Sequence, residues 1–274
     1  MKRKNLIGVF LVFLVIQDAK AQLLTDNLVG EWTFSGNAND TSRSGNNLSV
    51  INANLTADRF GNPNSAYNFL GISSKTTGSY LTTSTHNNLP VGQENLTVNL
   101  WASVEQPIAG DWRVIFCNGG WDSFQLGLGT DLYDTKRIQY HTGAGLPQIS
   151  TEQLTWNNAQ WYMLTLTVNN GIVNFYCDGM NLATVDVSTY GFGNYATGDS
   201  LNLSFGGRPD VYNGTDTLSH PWIGNLDDIR IYNRSLSDAE AATLYATESV
   251  PEPSSFSLLA VGLGGWAILR RRRM

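Results

Sequence analysis

Two cysteines, Cys117 and Cys177, are all the thiol chemistry that 274 residues carry. So few exclude a disulfide-dense scaffold and any thiolate metal cluster of the zinc-finger kind. A Cys117–Cys177 disulfide formed after export and a pair of buried free thiols both fit the sequence, and Cys177 shares strand parity with Val173 and Phe175, which places it in the core. Histidine is as scarce. His86, His141 and His220 stand in unrelated contexts with no Gly-x-Ser-x-Gly, so serine or cysteine hydrolysis has no support. Charged residues make up 15% of the chain, too little for a coiled coil, while 42% hydrophobic residues are too many for a disordered one. Neither an internal repeat nor a linker interrupts residues 22–249, so one large domain is preferred over two small ones.

The formal net charge is −6, but both ends are basic. Residues 1–21 carry +3 (Lys2, Arg3, Lys4 and Lys20, less Asp18) and residues 250–274 carry +3 (Arg270, Arg271, Arg272 and Arg273, less Glu252), which leaves −12 on residues 22–249. A body this acidic repels phosphate backbones, so nucleic acid is excluded as a partner, and it suits an extracellular or cation-binding module. The basic start, the uncharged run Leu6 to Ile16 and the small-x-small stretch Ala19-Lys20-Ala21 form a secretory signal over residues 1–21. Eleven apolar residues are too short to span a bilayer core of about 30 Å as a helix. At the other end, Val250-Pro251-Glu252-Pro253 precedes an apolar run from Phe256 to Leu269 and four arginines, with the positive charge held on the cytoplasmic side. This order over residues 250–274 resembles the PEP-CTERM sorting signal of bacteria. The resemblance implies a short transmembrane helix, an exosortase-type processing enzyme that cleaves near Pro251 to Pro253, and a place at the cell envelope or surface, anchored transiently or permanently. A plain single-pass anchor is the alternative.

Between these addresses the chain alternates with the period of a half-buried strand. Leu96, Val98, Leu100, Ala102 and Val104 fall on one face and Thr97, Asn99, Trp101 and Ser103 on the other. Leu164, Leu166 and Val168 repeat the pattern, as do Leu201, Leu203 and Phe205, and Ile229 with Ile231. Asn170-Gly171 between Val168 and Val173 tolerates the positive φ of a tight hairpin. Ser237-Asp238-Ala239-Glu240 is a capping box and predicts a helix of two turns at most.

The segments Leu28 to Phe34, Ala66 to Gly71, Ser79 to Leu81, Leu96 to Trp101, Trp161 to Val168, Phe175-Tyr176-Cys177-Asp178-Gly179, Ser204 to Gly207 and Ile223 to Ser237 occur in an order that resembles the laminin-G-like, concanavalin-A-like jelly-roll family. The resemblance spans nearly all of residues 26–246. It implies an all-β, two-sheet antiparallel sandwich over residues 22–249, with the strand at Leu28 to Phe34 close to the strand at Leu226 to Tyr232.

Lectins, adhesion modules and glycosidases share this fold, so function has to come from a site. Glycan hydrolysis needs two carboxylates across the scissile bond. The Glu-x-Asp-x-x-Glu pattern of the family's glucanases is absent, and Glu31, Glu94, Glu105, Glu152, Glu240 and Glu248 stand apart in sequence. Calcium is the cofactor the resemblance implies: a hard cation needs six to eight oxygens, the Asn37 to Asn47 loop offers such groups, and Asp227 commonly meets that loop in the family. Asp40 and Asp227 are therefore the expected metal ligands, turn capping being their alternative role. Exposed aromatics beside Asp or Asn can stack on sugar rings, so Trp121 with Asp122, Tyr133, and Trp222 are the candidate ligand-binding residues. The expected function is a surface-displayed, non-catalytic module for extracellular polysaccharide or a neighbouring surface protein. A glycan hydrolase or lyase on the same fold and a purely structural matrix protein are the alternatives.

Overall fold

The computed structural model describes residues 24–74, 76–83, 89, 95–105, 112–118, 124–129, 137–141, 149–150, 157–186, 188, 203–212 and 215–251. The secretory signal, the tail residues Glu252, Pro253 and Arg270 to Arg273, and Trp121, Asp122 and Tyr133 lie outside them.

Two antiparallel sheets face one another. The first joins β13 (Met180–Asp186), β12 (Ile172–Cys177), β11 (Trp161–Asn169), β6 (Asn95–Val104), β17 (Ile223–Tyr232), β4 (Ala66–Leu70) and β3 (Asn54–Thr56) in that spatial order, and β1 (Leu28–Trp32) also pairs with β17. The second runs β10 (Ile149–Ser150), β9 (Arg137–His141), β8 (Phe124–Gly129), β7 (Trp112–Asn118), β14 (Leu203–Phe205), β5 (Tyr80–Thr83) and β2 (Leu48–Ile51). A separate hairpin pairs β15 (Arg208–Tyr212) with β16 (Thr215–Ser219). The expected contact of first and last strands is present, with Glu31 opposite Arg230 and Trp32 opposite Ile229.

The inward residues of both sheets form one core, in which the Trp32 and Phe116 rings lie 5.6 and 5.4 Å from that of Phe205. The Asn170-Gly171 hairpin forms as expected: Val168 faces Val173, and φ is +46° at Asn170 and +87° at Gly171, a left-handed pair that turns the chain in the sense of the strand twist. Cys177 lies in this core on the first sheet and Cys117 is buried on the second, and the two are not joined by a disulfide. Burial, with a smaller push from the Asp178 charge, raises the Cys177 thiol to about 12.

Strand β6 departs from expectation. Its alternation predicted one wet face, yet Thr97, Asn99, Trp101 and Ser103 are all buried as well. The reason is helix α1 (Asp238–Glu248) and the segment leading into it, which lie over the outer face of the first sheet. The Thr97 hydroxyl donates to the Arg234 carbonyl and accepts from the Leu236 N–H. Trp101, Met163, Tyr232, Leu236 and Leu244 make a second, smaller core there. The helix opens with the predicted capping box, Ser237 accepting from the Glu240 N–H and Glu240 accepting from that of Ser237. It runs for 11 residues rather than the two turns expected, because Tyr245 stacks on Trp101 at 5.9 Å and Glu248 is held by side chains of the sheet.

Candidate functional site

The outer face of the first sheet has two unlike ends. Beneath the C-terminal end of α1 it is filled by charge. A bulge in β17 between Asp227 and Arg230, with Asp228 at φ +41°, gives two successive aspartates room beside Arg59. The Arg59 guanidinium lies 2.8 Å from both Asp227 and Asp228 and donates to the Glu248 carbonyl at 2.9 Å, with Trp101 and Phe60 rings beside it. Arg230 pairs with Glu31 and with the Glu248 carboxylate, which also accepts from the Trp101 indole. Burial and the Asp228 charge raise the Asp227 carboxyl to about 8 against the opposing pull of Arg59.

Beneath the N-terminal end of α1 the same face stays open. A groove of about 550 Å³ lies between β11, β12 and the residues from Ser235 to Glu240. Strand parity builds its floor: with Val173, Phe175 and Cys177 in the core, Ile172, Asn174 and Tyr176 point outward. Register sets Asn174 between Thr167 and Thr184, and the three form a row in which Thr184 donates to the Asn174 amide oxygen and the amide nitrogen donates to Thr167. The Tyr176 hydroxyl donates to Asp238 at 2.7 Å, and burial together with that carboxylate raises the phenol. Partial burial raises the Glu240 carboxyl, but the Ser237 N–H and hydroxyl and the Arg234 guanidinium outweigh it and hold Glu240 below the usual carboxylate range.

Of the expected site residues, Trp222, Asp40 and Asp227 are among those described, and they are not brought together. Trp222 is fully buried in the main core, so it offers no surface for a sugar ring. Its neighbours Pro221 and Gly224 signalled a loop, but the loop turns inward, and the backbone N–H of Trp222 donates to the Gly206 carbonyl. Asp40 and Asp227 do not share a site. Asp40 spends both oxygens on the N–H groups of Glu31, Ser42 and Asn46, folding its own loop against β1, whereas the cation beside Asp227 is Arg59. Among the described residues, no cluster of three or more His, Cys, Asp or Glu side chains could hold a metal ion. The outward position of Asn174 was readable from strand parity; the roles of Arg59, Arg230 and Glu248 had no local signal, since their partners lie far away in sequence.

These features define a two-sheet jelly-roll β-sandwich with a helix strapped across one sheet. The chain belongs to the concanavalin A-like lectin/glucanases superfamily, whose family model matches residues 75–242, and residues 249–273 match the PEP-CTERM protein-sorting motif, which implies bacterial export and C-terminal anchoring. No curated protein matches the chain. Domain 4 of AbnA, a GH43 extracellular arabinanase from Geobacillus stearothermophilus solved with arabinotriose, is similar at TM-score 0.56 and 18% identity, over 80% of this chain and 98% of that one. The binding domain of Botulinum neurotoxin DC, solved with rat synaptotagmin II, gives 0.62 and 15%, over 82% of this chain. The Botulinum neurotoxin serotype D ligand-binding domain, solved with N-acetylneuraminic acid, gives 0.58 and 16%, over 84% of this chain. This chain spans about half the length of the two toxin chains (52% and 53%). At these identities the likeness is one of fold. Among the described residues no helix is long and apolar enough to cross a membrane.

Proposed function

We propose that this protein is a non-catalytic binding module, exported and held at the bacterial surface through its C-terminal tail, that engages extracellular polysaccharide. The observation that carries the reading is the joining of a lectin-type sandwich to a sorting motif that starts directly after its last helix: α1 ends at Glu248 and the motif begins at residue 249. The chain leaves the body there, with Val250 and Pro251 exposed, within reach of a processing enzyme of the exosortase type. Four acids of the first sheet and α1 are committed to structure. Asp227 and Glu248 face arginines, Glu240 caps the helix and pairs with Arg234, and Glu31 pairs with Arg230, so none of these is free to act as the acid or base of a glycosidase.

The test is retention of the purified full chain on immobilised polysaccharides, with calorimetry on soluble fragments and an assay for reducing ends. A shallow site predicts dissociation constants in the micromolar to millimolar range, roughly −8 to −4 kcal/mol, with no turnover. Binding to no glycan would transfer the protein to the structural matrix class, and steady release of reducing ends would make it a hydrolase. Mass spectrometry of protein recovered from the cell surface is expected to find a C-terminus near Pro251 to Pro253; an intact arginine tail there would mean a permanent anchor.

A further inference from the structure

The groove at the N-terminal end of α1 has a chemistry that selects among glycans, and the inference here rests on the glycan-binding reading above. We propose that this groove seats a segment of neutral polysaccharide, held by the side-chain amides of Asn169 and Asn174, and that it rejects acidic sugars.

Three observations carry it. First, the volume of about 550 Å³ falls within the range of roughly 300–1,000 Å³ usual for ligand sites. Second, the lining supplies groups that donate and accept alike. A sugar hydroxyl also does both, so an amide and hydroxyl row matches it without the desolvation cost of a bare charge. Asn169 and Ser237 are exposed, Asn174 is half-buried, and the partly exposed Ile172 offers an apolar surface to the C–H groups of a ring. The Tyr176 ring is 1% exposed, so hydrogen bonds rather than aromatic stacking would carry the contact.

Third, the charge is of one sign. Among the described residues the lining includes Asp238 and Glu240 and no cation, and Arg234 nearby is engaged by Glu240 at 2.7 Å. A helix N-terminus ordinarily attracts anions, but this one is spent on its own side chains, with Ser237 accepting from the Glu240 N–H and two carboxylates in the first turn. A uronic or sialic acid would therefore meet like charge here, within a body of net charge −12.

Calorimetry and retention of the full chain on a neutral β-glucan, a neutral arabinan and the acidic polymers alginate and polygalacturonate test this at one ionic strength. Neutral polymers are expected to bind and acidic ones to bind at least about tenfold more weakly, a difference near 1.4 kcal/mol. Asn174→Ala is expected to weaken neutral binding about three- to tenfold, the worth of one hydrogen bond, and Asn169→Ala by a similar factor. Unchanged melting temperatures in both variants keep a folding defect from imitating this result. A preference for the acidic polymers would overturn the assignment of ligand class. Neutral binding that neither variant alters would remove the groove and leave the binding-module reading intact, whereas wild-type protein that binds none of the four would remove both.

Discussion

The two ends of one sheet face are built on opposite rules. Under the end of α1, Arg59, Arg230, Asp227, Asp228 and Glu248 are packed together with Trp101, and each charge meets a counter-charge at close range. Under the start of α1, Asn169, Asn174 and Thr184 stay at least partly accessible, and the neutral row of amides and hydroxyls is open to water. The difference teaches where the molecule stores stability and where it has surface to spare. Removing one member of a buried ion pair strands its partner in a poorly solvated site, whereas trimming a wet amide costs almost nothing.

Arg59→Met is the sharpest way to break this contrast. It leaves Asp227, Asp228 and the Glu248 carbonyl without their shared donor, and a loss of about 3–5 kcal/mol is expected in urea denaturation. A loss below 1 kcal/mol would show that the two ends do not differ as argued. The pH dependence comes next. Because Asp227 holds its proton more tightly folded than unfolded, its contribution to stability is fully present below the unfolded carboxylate value near 4 and declines as pH rises toward about 8. Thermal midpoints should fall across that window, and Asp227→Asn should flatten the slope; an equal slope in both proteins would remove Asp227 as its source.

Ser237→Ala stands between the two ends, since it opens the capping box without touching the ion cluster. About 1 kcal/mol is expected, read as a lower denaturation midpoint together with faster hydrogen exchange in the first turn of α1. At the open end, Asn174→Ala should change stability by no more than about 0.5 kcal/mol, and a larger loss would mean that the row with Thr167 and Thr184 is structural. The smallest effect expected is from chelator or added calcium. Arg59 already occupies the place beside Asp227, and Asp40 is spent on three backbone N–H groups, so the melting temperature should not move. A rise with calcium would mean that an ion is held elsewhere in the chain, because ligand bound to the native state alone stabilises by mass action.

Periodic and local features were legible in the sequence. The Asn170-Gly171 turn, the inward row from Leu96 to Val104, the capping box at Ser237 and the core position of Cys177 each depend on neighbours within a few residues, and each appears where the pattern put it. Reading exposure was harder. Trp222 has the sequence surroundings of a loop tip and the burial of a core residue, because a loop between strands can turn inward when a cavity between sheets needs filling. Trp101 and Asn99 were placed correctly on the outer face of β6, but whether that face was wet depended on a helix nearly 140 residues further along the chain.

The sequence by itself carried the strand period, the Asn170-Gly171 turn, the capping box and an acidic body between two basic ends, which are properties of composition and order, while the sandwich and the sorting motif were what its family resemblances implied. Only the tertiary structure decided which outward residues are covered. Arg59 meets Asp227 across 168 positions and Trp101 meets Glu248 across 147. Such pairings follow from register, from the bulge in β17 and from the path of α1 over the sheet, because burial of a side chain is settled by whatever packs above it and a strand's own alternation carries no record of that.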